Sequence, residues 1–201
     1  MKKILPLVSY VFHPVFIALY ATLFYLFSNN SYFINPEKVF VLLQIVLLSV
    51  LVPILFFFVL RYSGKISSYM VPSVKERQIP LLLHSFIIIL LLRRSITLER
   101  YPELHFFFLG ALLSTLIALL LLFCRTKASL HMIGISGFSC FVLGLSLQDS
   151  GSYSLIMALL VLLNGAVASS RLVMHAHTPK ELVLGVLIGV VPQVLLWYLW
   201  L

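Results

Sequence analysis

The sequence predicts an all-α membrane protein: a single domain, 1–201, folded as a polytopic bundle of six to seven transmembrane helices. Three observations carry that expectation. Of the 201 residues 62% are hydrophobic and only 10% charged, against roughly a quarter charged in a soluble domain. The mean hydropathy is +1.12. The charges fall in short clusters between apolar runs, several of them long enough to cross about 30 Å of hydrocarbon. Residues 1–60 read as two N-terminal spans and 61–201 as the core that carries the chemistry.

Residues 4–27 form the first expected span, interrupted by Pro6 and by His13-Pro14. The run is too long for a secretory signal and no small-x-small cleavage site closes it. A histidine beside a proline in a membrane is either a functional group or an inward-facing ring at a kink. Residues 28–37 read as a polar turn and 39–60 as the second span, with Gln44 and Pro53 expected to face other helices. Residues 61–78 read as a basic connection holding Arg61, Lys65, Lys75 and Arg77 against the single acid Glu76. Headgroup anchoring accounts for that loop as well as a functional role does.

Residues 79–92 make only about 21 Å of helix at 1.5 Å per residue, so this span is short. Snorkelling of Arg93 and Arg94 would extend it, and a re-entrant course is the alternative. A charged loop, 93–103, leads to the span 104–124. A basic turn, Arg125 to His131, leads to 132–147, where Gly134, Ser136, Gly137, Ser139 and Gly144 predict close helix contacts and a central position. After a tight turn at 148–152 come a sixth span at 153–169 and a seventh at 182–201. Trp197, Tyr198 and Trp200 are expected there as an interfacial belt.

Three polar clusters, at 75–77, at 127–131 and at 170–181, are each separated by two expected spans. An even number of crossings returns the chain to one face, provided 79–92 crosses. That face would hold ten of the fourteen basic residues, which by the positive-inside rule is cytoplasmic. Up to four of the ten are candidate anion ligands, and without them the count is six against four, so the side stays open. The basic residues form no stripe, so no nucleic-acid partner is expected; the expected partners are the bilayer and an anionic lipid, and no protein partner is indicated. Cys124 and Cys140 lie in apolar sequence and suggest neither disulfide nor metal motif.

The stretch Ser170 to Gly185 concentrates the chemistry. Thr178 can cap a helix, Pro179 suits its first position, and Glu181 completes a capping box. His177 therefore precedes a helix N-terminus, where free N–H groups and the dipole favour an anion. Arg171 offers a planar fork for phosphate or carboxylate.

Ser170-Arg171, five residues, His177, then Pro179 and Glu181 resemble a signature of the type-2 phosphatidic acid phosphatase superfamily, with glutamate where the family has aspartate. The resemblance implies a metal-independent, cofactor-free integral-membrane phosphatase of lipid metabolism in a bacterial inner membrane, acting on a lipid phosphate or pyrophosphate. By the same resemblance His177 is the nucleophile that becomes phosphohistidine, Glu181 orients its ring, and Arg171 and Ser170 belong to the phosphate site. The family's second motif, P-S-G-H, is matched in Ala128-Ser129-Leu130-His131 only by Ser129, a phosphate ligand, and His131, the general acid. Lys127 adds charge beside it. The first motif, K, six residues, R-P, is approached by Lys75, Arg77 and Pro80 at a different spacing.

Plainer readings stand beside these. Glu181 can be a helix cap, His131 a headgroup-level histidine, Arg171 a positive-inside anchor, and Lys75 and Arg77 ordinary loop charges. His175 reads as a bystander, His105 as interfacial, and His84 stays unassigned. Two other functions compete: a metal-dependent hydrolase using His131, His175, His177 and Glu181, and a catalytically silent relative that binds or moves an anionic lipid.

Overall fold

A computed structural model describes residues 5–28, 32–66, 73–148 and 153–201; the side chain of Lys75 is also outside the description. All regular structure among the described residues is helical. Five helical runs are long and apolar enough to cross a membrane: Asn35–Tyr62, Pro102–Phe123, Leu130–Gln148, Ser154–Val173 and Pro179–Trp197. The chain is therefore a multi-pass helical membrane protein. A sixth crossing is counted if α1 (Leu5–Val11) and α2 (Pro14–Ser28) are taken together.

The expected first span is thus not one straight helix. α1 and α2 meet at a 65° bend, because Pro14 cannot supply the N–H that would continue the helix through His13. The expected 39–60 span is longer than the apolar pattern indicated. It comprises α3 (Asn35–Ile45), a π-helical turn (Val46–Leu51) and α4 (Val52–Tyr62). Pro53 explains the π turn: its ring excludes the preceding carbonyl from the α ladder, and Val52 N–H reaches back five residues to Leu47 O. The expected loop to Gln78 is also revised. α5 runs Val74–Arg94, its start fixed by Ser73 Oγ accepting from Glu76 N–H, so Arg77 lies on a helix.

α6 (Pro102–Phe123), α7 (Leu130–Gln148), α8 (Ser154–Val173) and α9 (Pro179–Trp197) follow. α7 is the centre of the bundle, 61% buried along its most apolar stretch against 22–39% for the other four candidate spans. Its glycines are the reason. A Cβ on Gly137 would stand 3.3 Å from Gly189 O, and one on Gly189 would meet Ile133 O at 2.5 Å and also strike Ser136 Oγ. α7 and α9 thus touch backbone to backbone. α9 is also held to α6. Pro192 has no N–H for Ile188 O, and the buried Ser114 Oγ donates to that carbonyl at 2.7 Å.

The end of the bundle away from the three polar clusters is closed by paired charges. Arg100 grips Glu37 with two hydrogen bonds of 2.6 and 2.5 Å, Tyr101 Oη donates to Glu37 at 2.7 Å, and Tyr25 Oη donates to Glu103 at 2.7 Å. The aromatic belt is only partly as expected. Tyr198 is exposed, whereas Trp200 is buried against Gly144 and Phe141. Both cysteines are free thiols.

Substituting alanine at Gly189 should lower stability by about 1–3 kcal/mol, the usual cost of overpacking. Gly165 on α8 has open space around it, and alanine there should be neutral or slightly stabilising. Thermal unfolding in detergent measures both, and equal effects would contradict the α7–α9 contact.

Candidate active site

Three helices that lead to the polar clusters end in the same way. After α4, Lys65 N–H bonds Leu60 O and Gly64 N–H bonds Arg61 O, with Gly64 at φ 70°. After α6, Thr126 N–H bonds Leu121 O and Arg125 N–H bonds Leu122 O, with Arg125 at φ 54°. After α8, Ala176 N–H bonds Arg171 O and His175 N–H bonds Leu172 O, with His175 at φ 50°. Each is a Schellman turn, which needs one left-handed residue. Only the first uses glycine.

The last turn delivers His177 to the start of α9. Thr178 Oγ1 accepts from Glu181 N–H and Glu181 Oε2 accepts from Thr178 N–H, both at 3.3 Å, so the capping box is formed. The same Oε2 accepts from His177 Nδ1–H at 2.7 Å. One carboxylate therefore caps the helix and orients the ring, leaving Nε2 as the nitrogen with a free lone pair. Lys127 Nζ stands 3.9 Å from Oε1, its side chain partly exposed. Ser129 N–H donates to Glu181 O at 3.1 Å, joining the turn before α7 to the first turn of α9.

His177, Arg77, Arg171, His131 and His13 line one end of a cavity of about 170 Å³. Arg77 is buried and donates from Nη1 to Ala128 O at 3.1 Å. Arg171 is buried too; its Nη1 lies 3.8 Å from Met174 Sδ, and its Nε has no partner among the described residues. His131 donates from Nε2 to Ser9 O at 3.1 Å, since a carbonyl can only accept. His13 sets its ring edge-on to His131 with centroids 5.2 Å apart. Its Nδ1 accepts from Val15 N–H at 3.3 Å, which puts the ring proton on Nε2.

The structure thus brings together His177, Glu181, Lys127, Arg77, Arg171 and His131, drawn from all three polar clusters. It does not bring Ser129 or Ser170 to the cavity wall. Ser129 is fully buried and caps α7, its Oγ 3.5 Å from Met132 N. Ser170 is fully buried and shares a 2.6 Å hydrogen bond with Ser9 Oγ. Lys75 lies outside the described side chains. His175 is exposed, and among the described residues no three His, Cys, Asp or Glu side chains converge as a metal site would require. Sequence reasoning left His13 and His84 undecided, and both line the cavity; the signal at His13 was the His-Pro pair that breaks the first helix, and His84 shares a 3.2 Å hydrogen bond with Thr115.

A scan against protein-family models, a search of curated proteins and a search of solved structures each return no match.

Burial pulls the His177 imidazole down to about 4; the Glu181 hydrogen bond opposes this, and Arg77 and Arg171 add to it. A lowered value means that the ring is neutral, with a lone pair available, everywhere above about pH 4. Ring ¹⁵N shifts of His177 should accordingly show no protonation between pH 7 and pH 5, where a free histidine titrates near 6.5. A ring half-protonated at pH 6.5 would contradict this environment.

Proposed function

We propose that the chain is an integral-membrane, metal-independent phosphatase that removes phosphate from a lipid phosphate or pyrophosphate. The observation that carries the reading is His177, held through Nδ1 by Glu181, at the end of a cavity that also presents Arg77 and Arg171. Nε2 of His177 attacks phosphorus, the bond from phosphorus to the lipid oxygen breaks, and that oxygen takes a proton from a neighbouring histidine in its imidazolium form, leaving neutral imidazole. Water then attacks the phosphohistidine, passes its proton to that imidazole, and releases phosphate and neutral His177. The two arginines offset charge on the phosphoryl oxygens in a poorly solvated site. Glu181 stabilises the ring as it becomes positive.

Seven crossings belong to the same reading. α5 is charged at both ends, yet it follows α6 along its whole length. Arg77 bonds Ala128 just beyond one end of α6, and His105 Nδ1–H donates to Ile96 O at 2.6 Å near the other. With α5 crossing, the starts of α5, α7 and α9 lie on one membrane face, as the site requires.

His177→Ala should abolish turnover of lipid phosphates, His175→Ala should leave most of it, and activity should survive EDTA. Glu181→Gln should slow turnover by about 10²–10⁴-fold, the range for acid–base support. Phosphate release from detergent-purified protein is the measurement. Equal loss in both histidine variants would sink the assignment, and tight binding of a lipid phosphate without release would favour a silent relative.

The proton donor can be read separately. By the family resemblance it is His131, whose Nε2 proton points at Ser9 O, while His13 holds its proton on Nε2 beside it. His131→Ala should therefore slow alkyl phosphates far more than nitrophenyl phosphate, whose leaving oxygen needs no proton. The same leaving-group dependence appearing only in His13→Ala would move the role to His13.

A further inference from the structure

The cavity does not stop at the cation cluster. From His177 and Arg77 it continues into the bundle, past Ala18 of α2, Phe57 of α4, Leu83 and Ile87 of α5 and Ala111 of α6, to Gln193 of α9. Side chains of α2, α4, α5, α6, α7 and α9 all face it, so it is an interior channel and not a groove on the lipid-facing surface. Apart from its mouth the wall is mostly apolar; its polar members are Ser49, Ser114, the His84–Thr115 pair, which share a 3.2 Å hydrogen bond, and Gln193. A site that needed only to hold a headgroup would have no use for this depth.

Gln193 marks the far end. It is 1% exposed, its Nε2 donates to Phe107 O at 3.0 Å, and its Oε1 has no partner among the described residues. Gly110 makes the room, since a Cβ there would stand 2.6 Å from Gln193 Nε2. An orphan acceptor in an apolar channel costs free energy unless a water or hydroxyl reaches it. It is a poor neighbour for a further methylene and so closes the channel. Glu181 and Gln193 are twelve residues apart on α9, about 18 Å at 1.5 Å per residue. The 170 Å³ of the cavity corresponds to about a dozen water-sized positions at ~10–15 Å³ each. Both figures match one hydrocarbon chain of about a dozen carbons.

We propose that this interior channel binds the single hydrocarbon chain of a one-chain phosphate amphiphile, such as an alkyl or prenyl phosphate, and excludes two-chain glycerophospholipids. The proposal rests on the phosphatase reading for its headgroup end. A chain longer than the channel must leave it sideways into the bilayer.

The test uses the full chain in nanodiscs and n-alkyl phosphonates, which cannot be hydrolysed, carrying a photoreactive diazirine on the last carbon. With a chain of about a dozen carbons, matching the ~18 Å length of helix, label should appear on Phe107, Gly110 or Gln193. With about half that length it should move to Leu83 or Ser114. An alkyl phosphate should compete and a two-chain phosphatidic acid should not. Ala111→Phe should block labelling at the far end while keeping nitrophenyl phosphate turnover, with Leu83→Phe as the second plug if the first misfolds. Label confined to lipid-facing residues such as Phe86 or Leu120 would overturn the channel, and equal competition by phosphatidic acid would overturn the substrate class, each leaving phosphatase activity standing. Channel labelling without phosphate release from any substrate would instead remove the phosphatase reading and leave the channel.

Discussion

The site depends first on how closely α9 can lie against α7. Gly185 has no side chain, and a Cβ there would meet Ser129 O at 2.8 Å and Met132 Cβ at 2.9 Å. Because nothing fills that position, Ser129 N–H reaches Glu181 O, and the turn carrying Lys127 is fixed beside the turn carrying His177. Further along, Gly137 and Gly189 keep the two axes close, and the Ser114 bond to Ile188 stops α9 from swinging off α6. Each contact uses a feature that would weaken an isolated helix, a glycine or a proline. In hydrocarbon such features are tolerated where a neighbour supplies the missing packing or hydrogen bond.

That packing allows an arrangement of charge that is unfavourable alone. Arg77 and Arg171 are both buried at one cavity end, and taking two guanidinium groups out of water costs several kcal/mol per ion. Glu181, the carboxylate at the mouth, is already shared between His177 and Lys127. Its charge supports the imidazole and also acts on Arg77, one carboxylate against two buried arginines and a lysine. An anionic ligand would relieve the cations, which is the electrostatic basis for placing a phosphate there and no cation.

The sequence made some of this plain and hid the rest for identifiable reasons. The membrane class, the capping box at Thr178 and the central place of the glycine-rich α7 were readable, because composition, cap chemistry and small residues act locally. The 77, 127–131 and 171–181 clusters stood out as polar groups between apolar runs; that they meet is a matter of tertiary packing. The bend at His13 was visible as a His-Pro pair, but its consequence was not, since only tertiary packing sets His13 beside His131. The Schellman turns at Arg125 and His175 were illegible because neither uses glycine, unlike the turn at Gly64. Ser129 Oγ caps α7 and Ser170 Oγ bonds Ser9. Motif matching cannot see that competition for a hydroxyl. Gln193 gave no signal at all, being one polar residue in an apolar helix.

The two ends of the bundle treat charge in opposite ways. At the closed end two acids are held by partners: Glu37 by Arg100 and Tyr101, and Glu103 by Tyr25. Those contacts tie α2 and α3 to the α5–α6 connection and the start of α6, while the Nε1 groups of Trp197 and Trp200 at the end of α9 have no partner among the described residues. At the site end the arginines face an open cavity, a histidine gives its proton to a backbone carbonyl, and two turns hold non-glycine residues at positive φ. Buried cations and left-handed side chains are each destabilising. Their concentration at one end of a largely apolar cavity, beside an Arg171 Nε with no partner among the described residues, is an arrangement that an anionic ligand would stabilise.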